Sequence, residues 1–245
     1  DRDKPRPNLF TSSKPVIVIT ARVHPGETPS SHMLNGFLDF LLCEDDKRAK
    51  MLRDSFVFKI IPILNPDGVA RGHYRTDTRG ENLNRVYSDP KPNIHPTIFA
   101  TKQMVLQLHA KKQLAFYIDL HAHATKRGCF IYGNCLEKYE EQVNNVLFAK
   151  LISINSQHFD FLACNFSEKN MYSKDSLGQS KAGAGRVSIY NETKLVNCYT
   201  LECNYNSGKT VNKLQPFASS SDKSGIQPEQ KQLRVPARYT IEMFQ

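Results

Sequence analysis

Runs of β-branched and aromatic residues, each long enough for a single strand, most constrain what this chain can fold into. Residues 14–22 (K-P-V-I-V-I-T-A-R) form one continuous run, the pattern of a strand buried on both faces. Phe56 to Leu64 and Leu114 to Leu120 are two more, and shorter ones lie at Phe130–Tyr132 and Tyr199–Cys203. Between them the apolar spacing becomes helical. Met33, Phe37, Phe40 and Leu41 follow Thr28, which reads as an N-cap, and Pro29, which suits a first helical position. Ile98, Met104, Val105 and Leu108 predict a helix over 96–110, and a further helix covers 142–154. Strands alternating with helices predict an α/β fold with helices packed on the faces of a sheet.

Composition narrows the class. The chain has 245 residues, 40% hydrophobic and 23% charged, which suits a packed domain rather than a disordered chain. No apolar run approaches the ~18–20 residues of a membrane span, and Asp1-Arg2-Asp3-Lys4-Pro5 is not a signal peptide. The 6 cysteines include no C-x-x-C pair and no zinc-finger spacing, so they read as reduced, packed thiols. The net charge of +9 comes without a helix-turn-helix, RNA-binding or zinc-finger signature. That balance describes a solvated basic surface or a cleft for an acidic peptide, not a nucleic-acid or membrane partner.

In α/β sheets, ligands bind beyond the carboxyl ends of the strands, and here those ends are polar. His24 and Glu27 follow the first strand in a turn that Pro25 and Gly26 keep out of helix. Asn65-Pro66-Asp67-Gly68 follows the second as a structural turn and opens a long ordered loop over 65–95. Asp119-Leu120-His121-Ala122-His123 closes the third, and Glu202 follows the late strand. Catalytic zinc commonly takes three His or carboxylate ligands and keeps one position open. His24 and Glu27 supply two; His121 and His123, two apart on one side of an extended strand, both offer a third.

Longer motifs carry a family resemblance. H-P-G-E-T-P-S-S at 24–31, N-P-D-G-V-A-R-G-H-Y-R at 65–75, N-L-N-R at 82–85, D-L-H-A-H at 119–123 and Y-T-L-E-C-N-Y-N at 199–206 occur in the order found in zinc carboxypeptidases. From about Pro15 to Val211 the chain resembles their cytosolic branch. The resemblance implies a mixed β-sheet flanked by helices on both faces and one zinc ion (Zn2+) held by His24, Glu27 and His121. His121 is preferred to His123 because the family's ligand follows Asp-Leu directly. It further implies Glu202 as general base, Arg75 as the group that steadies the oxyanion, and Asn84 and Arg85 as the grip on the substrate's C-terminal carboxylate. Arg186, in G-A-G-R, is the expected recognition residue for a glutamate side chain, ahead of Lys181. Asp119 is expected either to orient a ligand histidine or to cap the strand end, His73 to be structural, and Cys203 to pack.

The branch also implies a substrate. Its members act on polyglutamylated acidic tails, chiefly of tubulin and microtubules and including the branch-point glutamate, in the cytoplasm, at microtubules and in the nucleus. Residues 1–245 would then be a carboxypeptidase catalytic domain without the branch's N-terminal β-sandwich, with a last helix that starts at Arg238 and is cut short at Gln245, and a flexible loop over 213–238. Two rivals stand beside this reading. One is a non-catalytic module that binds acidic C-terminal tails; the other is a related zinc amidohydrolase of the deacylase type.

Overall fold

A computed structural model describes residues 13–175 and 177–214. The strands are β1 (Val16–Ala21), β2 (Val57–Ile61), β3 (Leu114–His123), β4 (Cys129–Tyr132) and β5 (Cys198–Asn204). They form one sheet in the order β2-β1-β3-β5-β4. β1 runs parallel to β2 and β3, β3 runs parallel to β5, and β4 is antiparallel to β5. The helices are α1 (Thr28–Leu42), α2 (Lys47–Ser55), α3 (Pro66–Ala70), α4 (Pro96–Ala110), α5 (Tyr139–Asn155), α6 (Glu168–Tyr172) and α7 (Gly185–Thr193).

Alternation along the strands sends side chains to two cores. Val16 and Val18 of β1 and Tyr117 of β3 pack with Ile98 and Val105 of α4 and Val187 and Ile189 of α7. On the opposite face Ile19 and Ala21 pack with Leu34 of α1, and Ile131 and Tyr199 pack with Ala149 of α5. The sheet is therefore covered on both sides, as expected for an interior of parallel strands.

Several local expectations are corrected. Thr28 is not the cap of α1; Glu27 holds that position and makes no side-chain cap bond, because its carboxylate is engaged elsewhere. β2 is half-buried throughout rather than fully buried, since it lies at the sheet edge. Asn65–Gly68 does more than turn the chain: Asn65 Oδ1 accepts from Gly68 N at 3.0 Å and starts α3. The sequence reading passed over α2, which is capped by Asp46 and buries only Ala49, so it has no apolar stripe to betray it. Glu202 sits inside β5 rather than after it. Of the expected loop at 213–238, all but residues 213 and 214 lies outside the described residues, as does the helix from Arg238. Among the described residues, no helix is long and apolar enough to cross a membrane.

Candidate metal centre and cleft

The site forms where β1, β3 and β5 end together. After β1, Arg22 adopts a left-handed conformation (φ 57°) and the chain turns through His24–Glu27. Gly26 is required there: it donates to Tyr74 O at 2.8 Å, and a Cβ would lie 2.7 Å from the same carbonyl oxygen. Asn65 ties the turn down by donating to Val23 O at 3.3 Å. His24 and Glu27 are thereby presented on one side of rigid backbone.

On β3 and β5, one face changes character along its length. Tyr117 pairs with Cys198 in the core, Asp119 with Thr200 above it, and His121 with Glu202 at the top. Parallel register therefore sets the histidine beside the glutamate, although they belong to distant parts of the chain.

His24, Glu27 and His121 are all buried, and one ligating atom from each lies within 4.8 Å of the others. Glu27 Oε1 is 2.7 Å from His24 Nδ1 and Glu27 Oε2 is 3.1 Å from His121 Nδ1. Each imidazole is held from behind by its other nitrogen. His24 Nε2 donates to Asn82 Oδ1 at 3.1 Å, and His121 Nε2 donates to Asp119 Oδ2 at 2.7 Å. Thr20 Oγ1 in turn donates to Asp119 Oδ1 at 2.7 Å. Nδ1 of both rings is thus turned toward one carboxylate, the arrangement by which outer partners orient metal-ligating histidines. Two buried imidazoles and a carboxylate fit a zinc ion in donor type and in separation. His123 is not part of this cluster: its Nδ1 accepts from Lys126 N at 3.0 Å and its ring meets Phe130 edge-on.

The charges of the cluster are strongly coupled. Burial resists ionisation of Glu27, but the two histidines outweigh it and hold its carboxyl well below the ordinary range. Burial lowers the His24 pKa. It pulls on His121 too, yet the charges of Asp119 and Glu27 together raise that group well above its usual value.

Glu202 is buried, and among the described residues its Oε2 has no hydrogen-bond partner. Its register neighbours are His121 on one side and Phe130 on the other. Burial raises its pKa to about 7, with His121 opposing and Glu27 and Asp119 adding to the rise. A carboxyl poised there can both take and give a proton near neutrality.

A cleft of about 470 Å³ opens from this point, and every expected site residue lines it: His24, Glu27, His121, Glu202, Arg75, Asn84, Arg85 and Arg186. Arg75 Nη1 lies 3.9 Å from Glu27 Oε1. Asn84 Oδ1 accepts from Gly185 N at 2.9 Å, which leaves its Nδ2 as the donating end. Arg186 is buried in the first turn of α7. Its Nη1 donates to Gly133 O and, at 2.6 Å, to Asn134 Oδ1; its Nη2 donates to Asn170 Oδ1 at 2.9 Å. Burial lowers its pKa to about 10, so it keeps its charge at neutral pH. Lys181 lines the same wall.

Sequence reasoning missed the residues that hold these groups in place. Asn82 has one local signal, since its side chain also accepts from Asn84 N at 3.0 Å to cap the turn at Leu83–Arg85. Asn134, Asn170 and Asp175 have none. Tyr205, three residues past Glu202, also lines the cleft, and burial raises its pKa.

A mostly parallel sheet with a buried His/Glu/His cluster at its carboxyl edge and a carboxyl alongside defines an α/β protein with a candidate mononuclear metal centre. Comparison with known proteins makes this specific. The zinc carboxypeptidase family model matches residues 6–243, and the chain belongs to that family. It is 40% identical to cytosolic carboxypeptidase-like protein 5 of Ailuropoda melanoleuca, over 100% of this chain and 37% of that protein. It is 42% identical to cytosolic carboxypeptidase 6 of Mus musculus, over 80% of this chain and 35% of that one. The chain thus spans little more than a third of the length of these relatives. Its fold matches a metallo-carboxypeptidase from Burkholderia cenocepacia with a TM-score of 0.61 at 24% identity, over 79% of this chain and 49% of the other.

Proposed function

We propose that this chain carries the catalytic centre of a zinc metallocarboxypeptidase that removes glutamates from polyglutamylated protein tails. The expected substrates are chiefly those of tubulin, including the branch-point residue, met in the cytoplasm. The observation that carries this reading is the joining, in one cleft, of the His24–Glu27–His121 cluster, the buried Glu202 carboxyl and the guanidinium groups of Arg75, Arg85 and Arg186. His24, Glu27 and His121 would hold one zinc ion per chain. Such an ion, when bound, lowers the pKa of water toward ~7 and polarises a carbonyl.

The remaining work belongs to side chains. Glu202 takes a proton from water and delivers it to the departing amine. Arg75 sets positive charge beside Glu27, where negative charge develops on the substrate; one such donor is typically worth ~10²–10³ in rate. Asn84 and Arg85 hold the terminal carboxylate with N–H donors. Arg186, immobilised by Gly133, Asn134 and Asn170, keeps N–H groups on Nε and Nη2 for a carboxylate side chain. A cleft with this much fixed positive charge draws in an anionic tail and discriminates against neutral ones.

Incubation of zinc-loaded protein with a peptide bearing a polyglutamate tail tests the reading. Release of free glutamate that stops on chelation supports it. Binding without release supports a non-catalytic module, and cleavage of acyl-amides without need for a free terminal carboxylate supports the deacylase rival.

A further inference from the structure

Arg85 is not free to turn in the cleft. Its Nε donates to Asp175 Oδ2 at 3.0 Å, its Nη2 forms an ion pair with the same oxygen at 3.0 Å, and its Nη1 donates to the carbonyl oxygen of Asn84 at 2.8 Å. A guanidinium carries five N–H donors. With the Nε hydrogen and one Nη1 hydrogen engaged, one N–H remains on Nη1 and two on Nη2. One hydrogen from each of these nitrogens makes the planar fork by which a guanidinium receives a carboxylate in bidentate fashion.

Asp175 is itself fixed. Its Oδ1 accepts from Leu177 N and Gln179 N, both at 3.0 Å. The segment that carries it closes on itself, with Lys181 N bonded to Ser173 O at 3.1 Å and a bridge between Lys174 and Ser180. The pair is nearly shut off from solvent, with side chains 9% and 13% exposed for Arg85 and Asp175. Both residues line the cleft. A carboxylate with one oxygen on backbone amides and the other on an arginine is a bracket, not a freely moving counter-ion.

We propose that Asp175 is a positioning residue for carboxylate recognition, holding Arg85 so that N–H groups on its Nη1 and Nη2 form a fork for the substrate's terminal carboxylate. This rests on the carboxypeptidase reading above for the identity of the substrate. Asp175 touches no substrate atom; it acts through Arg85. Its removal leaves the guanidinium in the cleft but lets it rotate, so the terminal carboxylate loses a pre-aligned, charge-assisted pair of bonds.

The test compares two peptides in a Glu202→Gln background, so that neither is consumed. One ends in a free glutamate and the other in the corresponding carboxamide. Zinc-loaded protein with Asp175 intact is expected to prefer the free acid, and Asp175→Asn to reduce that preference about tenfold, the loss expected for one charge-assisted hydrogen bond. Asparagine still offers an oxygen to Leu177 N and Gln179 N, so the loop stays closed. If that variant fails to fold, Asp175→Ser gives the same reading with a smaller acceptor. In an Arg85→Met background, Asp175→Asn is expected to change the acid-to-amide ratio no further. An unchanged or increased ratio in Asp175→Asn, or a full effect without Arg85, overturns the proposal. An acid preference that depends on Asp175, together with no glutamate release by zinc-loaded protein in which Glu202 is intact, upholds this inference and defeats the carboxypeptidase reading.

Discussion

Replacing Glu202 with glutamine should abolish turnover and, at alkaline pH, stabilise the metal-free protein. The carboxyl is buried beside Phe130 and its pKa rises from 4.5 to about 7, first through burial. Between those values the folded chain keeps a proton that the unfolded chain has lost, so this group makes stability fall as pH rises. At about 1.4 kcal/mol per pKa unit, Glu202 costs roughly 3 kcal/mol once pH exceeds both values. Some of that cost is already present at pH 5, so the difference between pH 5 and pH 8 is about 2.5 kcal/mol. Glutamine has no charge to bury and shows none of this dependence. Urea unfolding of metal-free wild type and Glu202→Gln at the two pH values measures it, and the difference between variants cancels every other titrating group. Glu202→Gln should gain roughly 2–3 kcal/mol relative to wild type on going from pH 5 to pH 8. A difference that does not change with pH refutes the argument that an ionised Glu202 is costly. Added zinc should shrink the gap, since a nearby dication favours the ionised carboxylate.

Zinc binding should release a proton and weaken as pH falls, because the His121 pKa is raised in the metal-free protein and its imidazolium must lose a proton to ligate; calorimetry in buffers of different ionisation heat reads the proton count. Asp119→Asn should weaken zinc binding about 10–100-fold, by loosening the bond to His121 Nε2, as read by competition with a chromophoric chelator. Arg186→Met should lower kcat/KM for C-terminal glutamate far more than for a neutral C-terminal residue; equal losses on both would remove Arg186 from substrate recognition. Gly183→Ala should destabilise the chain by at least 1–3 kcal/mol, the usual cost of overpacking. Its Cβ would collide with the Arg85 carbonyl, and denaturant midpoints report the loss.

The alternating pattern was legible because it is local, and so was the His24–Glu27 turn; the choice of His121 over His123 came from the motif resemblance. A β-branched run such as 14–22 declares a strand wherever it sits, and the 96–110 helix appeared with the boundaries its periodicity and Pro96 suggest. Polar, titratable residues at strand ends announced a site because α/β sheets leave that edge open, and the ordered motifs supplied expectations for individual residues. What no local pattern contains is which side chains meet. His121 faces Glu202 because β3 and β5 pair in one register; a slip of one residue would turn either to the opposite face. Asn82 behind His24, Asp175 behind Arg85, and Gly133, Asn134 and Asn170 around Arg186 are joined only by packing. Hydrogen bonds at these distances depend on the placement of whole elements, which the identity of two distant residues does not encode. The sequence by itself thus determined the chemical groups and the sheet that displays them. Tertiary structure decided their orientation, their burial and hence their charge, because solvent exclusion and directional bonding arise only when separate elements close around one point.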